Sequence, residues 1–138
     1  MNYNWEKYLE SAKYLIDNSN KCDEEACLRT SLSRCYYGVR GVLNKYLRKI
    51  NADSKTNKDF IAFFENSSDI DIKKIGNRIG TLWSKRIVAD YKDNFPLTKV
   101  QVLLNYVLAK SIIDEFHNIK SSLDFNRTAR MLSLKKSN

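Results

Sequence analysis

The chain has 138 residues, 43% hydrophobic, 12% aromatic and 29% charged, with a formal net charge of +8. That length supports one domain with a real core but not two. Only four Gly and one Pro occur, which argues against a barrel or sandwich and its many tight turns. No stretch approaches the roughly 18 apolar residues of a membrane span. The beginning, Met1-Asn-Tyr-Asn-Trp-Glu, lacks the basic-then-apolar pattern of a secretory signal. Cys22, Cys27 and Cys35 are odd in number and confined to one third of the chain. With no His or second Cys cluster beside them, they predict neither a disulfide scaffold nor a zinc site, and a cytoplasmic protein is the expectation.

The charge is unevenly spread. Residues 1–69 carry 11 basic and 10 acidic side chains (+1), whereas residues 70–138 carry 13 and 6 (+7). The excess favours a polyanion near the C-terminal half: RNA, DNA or an acidic protein.

In chain order, the first helix is predicted from about Asn4 to Asn18, where Trp5, Tyr8, Leu9, Ala12, Leu15 and Ile16 form one apolar stripe. A second begins after Asp23, a good N-cap, with Glu24 and Glu25 favourable in its first turn. Its apolar row is Leu28, Leu32, Cys35 or Tyr36, Val39, Leu43, Tyr46 or Leu47, and Ile50. Gly38 and Gly41, three apart on this helix, share a face and suit either close approach of another helix or simple tolerance of glycine. After a polar connector, Thr56 or Asn57 starts a short helix through Phe60, Phe63 and Phe64. A fourth begins near Asp71 with Ile72, Ile75, Ile79, Leu82 and Trp83, and Asn94-Phe-Pro96 ends it. Thr98 to Gln101 reads as a capping box opening the fifth, whose apolar row is Leu103, Tyr106, Val107, Ile113, Phe116 and Ile119. The expected fold is therefore an all-α, up-and-down bundle of four to five helices spanning 1–122, followed by a basic tail, 123–138.

Two polar signatures interrupt the apolar pattern: Arg34-Cys-Tyr-Tyr-Gly-Val-Arg40 in the second helix and Arg86-Ile-Val-Ala-Asp-Tyr91 in the fourth. Buried arginines cost several kcal/mol unless paired, so their presence needs a reason. Arg86 and Asp90 are four apart and share a face. If the two long helices pack antiparallel, Arg34 and Tyr37 face them. One reading is a basic cleft: Arg86 holds a phosphate, Arg34 or Arg40 adds charge, and Tyr37 or Tyr91 offers a hydroxyl or a stacking ring. The other is a structural Arg–Asp–Tyr network that fixes helix register. An exposed Arg86 favours the first, and an Arg86 sealed by Asp90 and Tyr37 favours a non-catalytic module. Metal-independent RNA cleavage needs an acid and a base, for which histidine is best suited near neutral pH. The one histidine, His117, lies in the fifth helix and reads as a surface or boundary residue.

At these two signatures the chain resembles the HEPN superfamily, the higher-eukaryote and prokaryote nucleotide-binding domain, and in particular its small stand-alone prokaryotic members. The likeness covers about residues 5 to 122. It implies a four- to five-helix bundle, usually a homodimer with the motif helices near the dimer cleft. Many relatives are metal-independent endoribonucleases of toxin–antitoxin or antiphage systems, often beside a nucleotidyltransferase-type partner, and they need no cofactor. The resemblance places the catalytic arginine at Arg86 and the histidine position at Tyr91 or just beyond. Joined to the cleft reading, this makes Arg86, Asp90 and Tyr91 the candidate catalytic residues and Arg34, Tyr37 and Arg40 the candidate phosphate- or RNA-binding ones. The family motif is Arg, four to six residues, then His. Here Tyr91, Lys92 and Asp93 occupy that region, so the nuclease pair is incomplete. Two readings follow: RNA cleavage with Tyr91 as substitute, or binding of RNA, a nucleotide or a nucleotidyltransferase-type partner without cleavage.

Overall fold

The computed structural model describes residues 3–121; the predicted basic tail lies outside them. Five α-helices and one 3-10 turn follow in order: α1 Glu6–Asp17, the turn Ser19–Lys21, α2 Glu24–Lys49, α3 Asn57–Glu65, α4 Ile70–Tyr91 and α5 Lys99–Ile119, with no strand among the described residues. The bundle is all-α and up-and-down. Its boundaries follow the capping chemistry of the sequence. The Asp23 carboxylate accepts from the Ala26 amide at 2.8 Å, Thr56 Oγ1 from Asp59 at 3.1 Å, and Asp69 Oδ1 from Asp71 and Ile72. The Thr98–Gln101 capping box closes in both directions, satisfying two amide donors that a helix start leaves orphaned.

Helix α2, about 39 Å long at 1.5 Å per residue, is the central element and packs against α1, α4 and α5, while α3 lies on α4. It buries Leu28, Leu32, Cys35, Tyr36, Val39, Leu43 and Leu47, the row its periodicity predicts. Burial pushes the Cys35 thiol up to about 12, which keeps it protonated and inert as a nucleophile near neutral pH. Both α2 glycines admit α1. A Cβ on Gly38 would press Leu9 and Tyr8 at 3.2 Å, and one on Gly41 would overlap the Trp5 ring.

Two expectations are corrected. Cys22 and Cys27 form a disulfide: the chain reverses between the 3-10 turn and the start of α2, which brings together two residues only five apart. The cysteine pattern therefore gives no support to a reducing compartment. No helix among the described residues is long and apolar enough to cross a membrane.

The second correction concerns α5. Its buried row in the N-terminal half is Val102, Asn105 and Ala109, whereas the predicted core residues Leu103 and Val107 are 37% and 55% exposed. The segment Val100–Ala109 carries no charge and few polar residues, so it is apolar nearly all round and its periodicity cannot say which side faces inward.

Candidate functional site

The two signatures meet where α2 crosses α4. Arg86 lies under three aromatic rings, its guanidinium carbon 5.0 Å from the Tyr37 centroid, 5.2 Å from Trp83 and 5.3 Å from Tyr91. Its Nε stands 2.7 Å from Asp90 Oδ2. The Nε–H is not aligned with that oxygen, so Nε is buried without a hydrogen-bond acceptor among the described residues. Ser33, from α2, donates to the same Asp90 oxygen at 3.3 Å. The Arg86 side chain is 12% exposed and that of Asp90 27%. A charge so nearly buried persists because an opposite charge and three ring faces replace its water.

Helix geometry explains why one short motif serves two environments. Successive helical residues point about 100° apart, so Tyr36 enters the core while Tyr37 turns toward Arg86. Tyr36 is fully buried, and its hydroxyl donates to Asn57 Oδ1 at 2.7 Å, tying α2 to the start of α3. Its ring packs 5.1 Å from Tyr37 and 5.1 Å from Trp83. Burial raises the Tyr36 hydroxyl far above the phenolic range, with the Arg40 charge as the largest opposing influence, so it is fixed as a donor.

The structure thus gathers Arg86, Asp90, Tyr91 and Tyr37, and leaves Arg34 and Arg40 elsewhere. Arg34 packs over the Tyr8 ring of α1 at 5.4 Å, with its Nε buried and lacking an acceptor among the described residues. Arg40 donates to the Lys55 carbonyl at 2.9 Å and sits 3.5 Å from that of Ser54, holding the α2–α3 connector. His117 contacts Glu6 at 3.3 Å and Lys120 at 3.0 Å, not the Arg86 cluster.

Beside the sealed cluster, on the other side of Tyr37, is an open pocket of about 230 Å³ lined by Trp5, Tyr37, Arg40, Gly41, Asn44 and Arg48. Positions 37, 40, 41, 44 and 48 recur at three and four residues, so they form one face of α2. Trp5, at the N-cap of α1, lies across that face because Gly41 has no side chain to exclude it. Asn44 is committed to the connector through both its amide groups, donating to the Ser54 carbonyl at 3.1 Å and accepting from the Ser54 amide at 2.9 Å. Arg48 is held only loosely: its side chain is 68% exposed and its ion pair with Asp53, at 3.8 Å, is a surface contact that a ligand phosphate can replace. An aromatic wall and two guanidinium groups suit a ring that bears a phosphate.

Sequence reasoning missed Arg29. From α2 it donates to the carbonyls of Ala89 at 2.8 Å, Val88 at 3.2 Å, Lys92 at 3.0 Å and Phe95 at 2.8 Å, while Glu25 pairs with it at 3.0 Å. It thereby caps the C-terminus of α4, which the Asp90–Tyr91 end of the motif occupies. Its spacing from Glu25 signalled only a surface pair. Trp5 and Arg48 also carried no motif; only the fold joins them.

The fold defines an all-α five-helix bundle with an arginine sealed between its two longest helices. Comparison of the chain with family models, with curated proteins and with solved structures finds no match.

Proposed function

We propose that this chain is a HEPN-like module that binds RNA or a nucleotide through its phosphate without cleaving it. What carries the reading is the contrast between two neighbouring arginine sites. Arg86 is neutralised by Asp90 and covered by Tyr37, Trp83 and Tyr91, so a phosphate could reach it only by displacing Asp90. Arg40 and Arg48 instead line an open pocket whose walls are Trp5 and Tyr37. There a base stacks on Trp5 or Tyr37 while the phosphate takes the exposed Arg48 guanidinium. The absence of a histidine from the Arg86 cluster supports binding over hydrolysis, since proton transfer near neutral pH would rest on a tyrosine hydroxyl. The net charge of +8 supports a polyanionic partner.

The test is fluorescence anisotropy of a labelled single-stranded RNA on the full chain, run beside a cleavage assay in EDTA. Arg48→Ala should weaken binding about tenfold, roughly 1.4 kcal/mol, and wild type should leave the RNA intact. Cleavage by wild type that disappears in Arg86→Ala would establish the nuclease reading instead. Unchanged affinity in Arg48→Ala would remove the pocket from the account.

A further inference from the structure

On α5 the residues Val100, Leu103, Leu104 and Val107 are 67%, 37%, 63% and 55% exposed. They recur at three, four and seven positions and so share one helix face. Such large aliphatic residues grouped on one face mark a contact surface rather than scattered surface apolarity. We propose that two copies of this chain associate about a twofold axis by crossing their α5 helices antiparallel at Leu103 and Leu104.

The choice of a second copy rests on the pattern itself. The order Val-x-x-Leu-Leu-x-x-Val from Val100 to Val107 reads the same in both directions. Antiparallel crossing therefore sets Val100 against Val107 of the second copy and Leu103 against Leu104 of the second copy. A twofold interface requires this self-complementarity, because one patch must meet itself. The rows Val100–Leu104 and Leu103–Val107 are both four-residue ridges, the kind that interdigitate when helices cross at about −50°.

Charge points the same way. Positions 100–109 hold no charged residue, although 29% of the chain is charged. An RNA would find no cation within this face, and an acidic helix would find no charge to match. The flanking cations Lys99 and Lys110 lie beyond the apolar patch at its two ends, where helices crossing at about −50° have splayed apart, so the +8 on each chain is kept out of the contact itself. This inference is independent of the binding pocket, which is built from α1 and α2. It also places self-association away from the motif helices to which the HEPN likeness assigns it.

The experiment is light scattering on the eluting full chain, with far-UV circular dichroism to verify folding. Wild type is expected at twice the 16.1 kDa chain mass. Leu103→Lys and Leu104→Glu should each run as folded monomers, since both positions are outside the core. Mixed in equal amounts, they should recover the doubled mass, because Lys at one position then meets Glu at the other across the axis. A monomeric wild type, or variants that stay dimeric, would overturn the interface. Folded monomers that fail to recombine would overturn the antiparallel register.

Discussion

Replacing Asp90 by alanine should lower stability by about 2 kcal/mol, well above the cost of an exposed ion pair, because it strands a nearly buried guanidinium. Arg86 is 12% exposed, and Asp90 is the only carboxylate paired with it among the described residues. Without Asp90 the three rings still contact the charge, but cation–π contacts of about 0.5–1 kcal/mol each do not replace a counter-ion. The second variant makes the argument sharp. Arg86→Met in the Asp90→Ala background removes the orphaned charge and leaves a flexible apolar chain among Tyr37, Trp83 and Tyr91. It should recover at least half of the loss, as replacement of whole buried pairs commonly does. Urea unfolding of wild type, single and double variants reads both steps. A different result would be equally informative: unchanged stability in Asp90→Ala together with tighter RNA binding would make Asp90 a removable cover on a phosphate clamp.

Gly76→Ala should also destabilise by about 2 kcal/mol, and here the sign is diagnostic. In an exposed helix the substitution would add about 1 kcal/mol of stability through propensity. At this position the new Cβ would lie 2.5 Å from the Glu65 amide nitrogen and 2.8 Å from the Phe64 carbonyl carbon. Those are backbone atoms at the end of α3, which cannot rotate aside, so α3 must shift off α4 and loosen Phe64 in the core. Gly80→Ala is the internal control. Its Cβ would meet only the Glu65 carboxylate at 2.9 Å, a flexible side-chain end, and the change should be neutral or stabilising. Thermal unfolding should therefore separate the two by several degrees. A Gly76→Ala protein at least as stable as wild type would disprove the close approach.

Much of the fold was legible because each cue was local. Asp23, Thr56 and the Thr98–Gln101 pair mark helix starts through bonds that reach no further than three residues. The Arg86–Asp90 pair was legible too, since one helical turn brings the two side chains together. Arg34 was misplaced for an instructive reason. Its motif neighbour Tyr37 is three residues on and faces α4, yet Arg34 packs on Tyr8 of α1. Both helices border that side of α2, and spacing alone does not divide a broad face between two neighbours.

By itself the sequence determined most elements of this protein: an all-helical bundle, the caps that open α2, α3 and α5, the core row of α2 and an arginine that must be paired, though not the Asp69 cap of α4. Those properties depend on a few adjacent residues and on the cost of burying charge. The tertiary structure alone decided that Arg86 is covered by Trp83 and Tyr91 from its own helix and by Tyr37 from another. It alone brought Arg29 to the end of α4 and Trp5 across Gly41. It also chose which side of the uniformly apolar half of α5 would face water. Each of these outcomes depends on how whole helices pack. A periodic pattern fixes the shape of a helix but not which neighbour each of its faces will meet.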